Sequence, residues 1–286
     1  MSFVINTIVD AFIDAFIDTL KLLPFLLVTY ILMEYLEHKT SDKVRKVVSK
    51  AGKAGPVIGG FLGIIPQCGF SAAASSLYVG RVISLGTLMA IYLSTSDEML
   101  PILIAERAPG MEIMKILAIK LFIGVIVGLI IDFLMRKKGV DEHEHIHEMC
   151  EHDHCHCGEG NILKSAFIHT MQIALFILAV NLVLNAIFEI VGESFIVSLL
   201  ENKGILGPIF ASLIGLIPNC AGSVALTTLY IKGVLSLGSV IGGLLTGCGV
   251  GCLVLFRLNH DKKECFKILG MLYVIGVLSG IVVGIL

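Results

Sequence analysis

The chain has 286 residues, 56% of them hydrophobic and 15% charged, with a mean hydropathy of +0.92 and a formal net charge of −2. A soluble domain is roughly 45–50% apolar and about 25% charged, so this chain is expected to be solvated mostly by lipid. That composition argues against a soluble enzyme, and nothing in the sequence suggests nucleic-acid binding.

The N-terminus, MSFVINTIVDAF, has no basic n-region and no small-residue cleavage site, so no cleaved signal peptide is expected. Asp10, Asp14 and Asp18 then recur every four residues along a helical stripe. An amphipathic helix lying in the membrane interface explains Asp10 and Asp14. The first apolar run, Leu22 to Met33, leads into a basic loop of Lys39, Lys43, Arg45, Lys46, Lys50 and Lys53. Ala54 to Gly80 carries no charge. Val82 to Ala105 is apolar apart from Asp97 and Glu98, and Glu112 to Leu134 is the next weaker candidate. Past the linker come Ser165–Phe188, Gly204–Ile231, Gly233–Phe256 and Ile268–Leu286. A spanning helix needs about 20 apolar residues. The runs have helical length and lack a barrel's short alternation. The expected fold is an all-α, polytopic helical membrane protein with eight principal hydrophobic segments, or ten if broken ones are split.

The chain repeats itself. Gly55–Ile104 and Gly207–Phe256 align without a gap, keeping Gly55/Gly207, Pro56/Pro208, Gly63/Gly215, Pro66/Pro218, Cys68/Cys220, Ser71/Ser223 and Tyr78/Tyr230. The same register pairs Met114–Leu134 with Phe266–Leu286, and "AFIDT" at Ala15–Thr19 pairs with "AFIHT" at Ala166–Thr170 one residue out. The expected division is residues 1–135, a linker at 136–160, and residues 161–286. The basic loop changes place between the halves. Lys39–Lys53 is rich in lysine, whereas its counterpart Gly192–Lys203 has one basic residue and two glutamates. The later loop "ERAPGME" corresponds to the basic "RLNHDKKECFK". With basic loops cytoplasmic, this predicts inverted-topology repeats with broken or re-entrant helices, as in many secondary transporters. The linker, which begins Arg136-Lys137-Lys138, would also be cytoplasmic.

Pro66-Gln67-Cys68 and Pro218-Asn219-Cys220 interrupt two of the apolar runs. Proline removes an N–H and clashes with the preceding turn, so each run is expected to break there. Broken backbone at membrane depth is tolerated where it lines a cavity. Gln67, Cys68, Asn219 and Cys220, with Ser71 and Ser223 behind them, are therefore candidate substrate-binding residues; proline kinks among small packing residues are the plainer reading. "LSTSDEMLP" (Leu93–Pro101) corresponds to "LTGCGVGCL" (Leu245–Leu253). Ser94, Asp97 and Glu98 on one side and Cys248 on the other join the candidate set. Intramembrane carboxylates are normally functional and suit a divalent cation or a coupling proton, unless the pair sits in a loop. Cys248 and Cys252 would share one face if helical. Asp18, Glu34 and His169 fall at matched polar positions of the two halves (Asp18 with His169, Glu34 with Asn185) and are candidates for cavity lining or proton coupling.

The linker "DEHEHIHEMCEHDHCHC" (Asp141–Cys157) interleaves His143, His145, His147, Cys150, His152, His154, Cys155, His156 and Cys157 with carboxylates. Imidazole and thiolate bind Zn²⁺ and similar metals, but the irregular spacing specifies no zinc-finger geometry. It reads as a flexible metal-binding tract with a buffer or sensor role; an acidic solvated linker is the alternative. There is no P-loop and no catalytic pattern, so an enzyme is not expected.

With its Pro-Gln-Cys and Pro-Asn-Cys breaks, its "STSDEMLP" stretch and its His-rich linker, the sequence resembles the ten-transmembrane heavy-metal exporter family. That family is linked by name to the arsenical permeases, and some members are named as manganese transporters. The resemblance covers nearly the whole chain outside the linker and implies a membrane exporter with five plus five segments. The expected function is alternating-access export of a metal ion, a divalent transition metal of the Mn²⁺ or Zn²⁺ kind. Alternatives are efflux of arsenite or organoarsenicals, transport of a small organic anion, or a metal-sensing receptor. The expected location is the cell membrane, and the expected partners are the bilayer and the metal, with a homodimer left open. No cofactor is expected beyond metal as substrate and metal held by the linker.

Overall fold

The computed structural model describes residues 12–13, 15–24, 26–31, 54–66, 68–96, 98–137, 162–200 and 206–285. Among these the secondary structure is helical, with no strand. A chain in lipid must satisfy its backbone internally, and helices do so within each segment. An N-terminal helix, α1, is described at 15–24 and 26–31. It is followed by α2 (Gly55–Gly63), α3 (Cys68–Val79), α4 (Leu85–Ser94), α5 (Met99–Ala105) and α6 (Gly110–Lys137). The second set is α7 (Ile162–Leu200), α8 (Gly207–Gly215), α9 (Cys220–Ile231), α10 (Leu237–Thr246), α11 (Val250–Leu258) and α12 (Lys262–Ile285). The helix starts and breaks of α2–α6 recur at the aligned positions of α8–α12.

Local chemistry explains the boundaries. Pro56 and Pro208 sit in the first turn of α2 and α8, where no N–H is needed. Ser84 and Ser236 cap α4 and α10 by accepting from Thr87 N and Ser239 N, each at 3.2 Å. Among the described residues, five stretches are long and apolar enough to cross a membrane: Leu85–Ala105, Gly110–Met135, Ala166–Ile187, Leu237–Leu258 and Lys262–Ile285. The first and fourth contain the breaks between α4 and α5 and between α10 and α11.

The proline-broken run folds back on itself. A Cβ on Gly55 would meet Thr87 at the start of α4, and one on Gly63 would meet Ser94 at its end. So α2 runs beside α4 in the same direction. Helix α3 must then return to the 80–84 turn that begins α4. The pair α2–α3 is a hairpin with its tip at Ile64–Pro66, level with the α4–α5 break. Ser96 donates to the Ile64 carbonyl at 2.5 Å and ties the tip to the break. Helices α8 and α9 repeat this, with Gly207 against Ser239 and Gly215 against Thr246.

The halves interlock. The α3 start packs on the α11 start, where a Cβ on Gly251 would meet the Ser71 backbone at 2.7 Å. Helix α9 packs on α5 in the matching way. Helices α6 and α12 lie against α4 and α10 through small residues, and they turn Phe122, Phe133, Val274, Leu278 and Val282 outward. Because Gly238 sits against the Gly280 carbonyl at 2.5 Å from where a Cβ would go, the neighbour there is backbone and cannot step aside. Gly238→Leu is expected to cost about 1–3 kcal/mol by overpacking. Gly270→Leu, where a Cβ meets nothing within 4 Å, is expected to leave the thermal midpoint in detergent unchanged.

Candidate functional site

The two hairpin tips and the two mid-span breaks meet at one level of the bundle. Their side chains hold them there. Ser75 of α3 is fully buried and reaches the Gly251 carbonyl at 2.6 Å, the Ser71 carbonyl at 2.7 Å and the Tyr92 hydroxyl at 2.6 Å. Its one hydrogen goes to a carbonyl, so the Tyr92 hydroxyl is the donor to Ser75. Tyr92 is fully buried, and Cys248, Cys252 and Cys265 lie near its hydroxyl. All three thiols are buried and free of disulfides. This cluster places the α4 end, the α3 start and the α10–α11 break together.

The candidates named from sequence distribute as follows. Ser71 is fully buried at the α3–α11 crossing. Ser94 is also fully buried, and its hydroxyl donates back to its own helix at Ala90 (2.7 Å) while filling the notch left by Gly63. Glu98 is half-buried at the start of α5, directly after the break. Asn219 is 5% exposed and caps α9 by accepting from Ala221 N at 3.4 Å. Its amide donates to Asn185 of α7 at 2.5 Å. Cys220 opens α9 and is buried. Ser223 donates to the Cys220 carbonyl at 2.8 Å and so faces its own backbone. Cys248 is fully buried but lies before α11, which starts at Val250 after Gly249 at φ 53°. Cys248 and Cys252 therefore do not share a helical face; a turn brings both toward Tyr92. Cys68 begins α3, though its side chain, like Gln67, Asp97 and Glu34, lies outside the described residues, as do the linker ligands from His143 to Cys157.

His169 is buried and stacks on Tyr30, ring centroids 5.6 Å apart, which joins α7 to α1. Asp18 pairs with the exposed Lys21 at 3.5 Å on the rim of α1. Among the described residues no three His, Cys, Asp or Glu side chains converge as a ready metal cage. The donors that do assemble are hydroxyls, thiols and freed carbonyls, with the Glu98 carboxylate at the edge of the break.

Two buried charges of α6 escaped the sequence reading. Asp132 is 7% exposed and accepts from Ser84 Oγ at 2.7 Å and Gly86 N at 2.9 Å, an anion at the start of α4. Lys120 is 1% exposed and donates to the Leu244 carbonyl of α10 at 2.6 Å, a cation at a helix end. Lone charges inside an apolar run were the available signal.

A third feature joins the halves away from the midplane. Tyr78 at the end of α3 donates to Glu264 at 2.6 Å. Asn259 donates to the other Glu264 oxygen at 2.8 Å, and Arg81 approaches Glu264 at 3.9 Å while covering the Tyr78 ring at 5.7 Å. The same aligned positions hold Tyr230 and Glu112 at the other end of the bundle. No hydrogen bond joins that pair among the described residues. Arg81 is replaced by Gly233 at that end, both with positive φ (58° and 74°).

A family model described as "Putative, 10TM heavy-metal exporter" matches residues 3–195 and 159–286. No curated protein and no solved structure matches the chain.

Proposed function

The chain belongs to the ten-transmembrane heavy-metal exporter family, and on that premise we propose that it exports a divalent transition metal, of the Mn²⁺ or Zn²⁺ kind, from the cytoplasm by alternating access. The observation that carries this reading is the meeting of two hairpin tips and two helix breaks at one level. Each break frees backbone groups that lipid could not satisfy, so they suit an ion path. Asp97 and Glu98 would supply the carboxylates, Cys68 and Cys220 the thiols, and Gln67 and Asn219 the orienting amides. A carboxylate would exchange protons against the metal.

Charge supports one orientation. Arg81, Arg257, Lys262, Lys263 and the Lys137 end of α6 fall at one end of the bundle, the end where Tyr78 meets Glu264. Basic residues favour the cytoplasmic side. Residues 1–135 and 161–286 are then inverted repeats: α2–α3 dips in from the cytoplasm and α8–α9 from outside. The Tyr–Glu pairs at the two ends supply a latch for each side, one made and one unmade. The 136–160 linker would hang in the cytoplasm and gather metal without being needed for flux.

A second reading is efflux of arsenite or an organoarsenical. It is favoured by the buried Cys248 and Cys252 beside the same break, since thiols take soft centres. Uptake of Mn²⁺, Zn²⁺, Cd²⁺ and arsenite into inverted proteoliposomes separates the two. Divalent flux that falls in the Cys68→Ser/Cys220→Ser variant is expected. Flux of arsenite alone would transfer the site to the thiols, and flux of none of the four would remove the metal-exporter reading.

A further inference from the structure

Helix α10 ends at Thr246, and the break leaves the Leu244 carbonyl without its helical partner. In an unbroken helix the Cys248 N–H would close on that carbonyl. Here it turns to Thr246 instead, at 2.9 Å. Lys120 takes the vacated place from the opposite half of the molecule, at 2.6 Å and 1% exposure. A helix C-terminus carries partial negative charge, and an ammonium there answers it.

The first half has the same break and the equivalent carbonyl, that of Tyr92 at the end of α4. Among the described residues nothing donates to it. The residue equivalent to Lys120 is Leu272, buried and apolar. So one helix end is answered by a tethered cation and its counterpart is not. The rest of the sequence difference follows the same sense. The unanswered end is followed by Ser96, Asp97 and Glu98, whereas the answered end is followed by Cys248, Gly249 and Val250.

We propose that the two breaks are paired cation seats, and that Lys120 is a permanent tethered occupant of the α10 seat, leaving the α4 seat alone for a mobile cation. This role of Lys120 rests on the breaks being an ion path. It predicts that removing the ammonium creates a second seat, which a free monovalent ion will fill.

The test is thermal unfolding of the purified full chain in detergent, in choline, Na⁺ or K⁺ chloride at equal ionic strength. It needs no transported substrate, so an absence of metal flux leaves it intact. Wild type and Lys120→Arg are expected to respond alike to the three salts, showing only the response of the α4 seat. Lys120→Met is expected to melt lower in choline and to regain several degrees, saturably, in Na⁺ or K⁺. Lys120→Ser, which leaves more room for a hydrated ion, is the second variant. A folded Lys120→Met and Lys120→Ser with no salt response would overturn the proposal. So would a wild type that shows the same gain, or neutral variants that no salt restores while Lys120→Arg folds.

Discussion

Asp97→Asn is expected to lower divalent-metal export at least a hundredfold while leaving thiol binding of an arsenical intact. In sequence Asp97 falls between Ser96, which is anchored to the Ile64 carbonyl, and Glu98 at the start of α5. A carboxylate in an apolar span is expensive unless something charged uses it. Removing one partner of a buried charge pair costs about 3–5 kcal/mol, and about 1.4 kcal/mol is a factor of ten. Asparagine keeps the size and the oxygen but loses the charge, so a purely packing role would be spared. Initial rates in inverted proteoliposomes, with phenylarsenical binding measured on the same preparation, decide the matter. Equal metal flux in the variant and wild type would put Asp97 outside the path.

Tyr78→Phe is expected to open the end proposed to be cytoplasmic. The Tyr78 hydroxyl donates to an ionised partner, Glu264, that Asn259 and Arg81 also hold. A hydrogen bond to a charged group contributes about 1.5–3 kcal/mol, so its loss moves a two-state balance by about 10–100-fold. The readout is labelling of the buried Cys220 by an impermeant maleimide from each side of oriented vesicles. Cytoplasmic labelling of the Tyr78→Phe protein is expected to rise by that factor, with no change from outside. Tyr230→Phe, at the end where no such bond is made, is expected to change little. A Tyr78→Phe protein labelled like wild type would reduce the pair to a surface contact.

Much of the architecture was legible in the sequence. The uncharged runs demanded helices because lipid offers no partner for exposed backbone. Pro66 and Pro218 marked the breaks because proline cannot continue a helix hydrogen bond. Gly63, Ser84 and their counterparts kept register because close helix packing and a cap each accept few residue types. Membership of the exporter family agreed with the resemblance carried by those breaks and the linker.

The candidate site was legible only in part. Asn219 drew attention as an interrupted amide, yet its partner Asn185 lies on α7, far along the chain. Cys248 and Cys252 were visible as thiols four apart, but spacing could not say that Gly249 would start the helix between them. Ser94 looked like a polar lining residue, and the fold gives its hydroxyl to the helix it stands on. A polar side chain in an apolar run announces that it needs a partner without naming the partner.

The sequence by itself determined a lipid-solvated helical chain, its duplication, and the positions where helices must stop, since each of these depends on composition, periodicity or one residue's backbone chemistry. The tertiary structure alone decided that the proline-broken run turns back as a hairpin while the second broken run goes on. It also decided that Lys120 answers a carbonyl in the other half, and that Tyr78 but not Tyr230 is bonded to its glutamate. Those outcomes depend on which distant surfaces meet, and local pattern carries no information about separation in space.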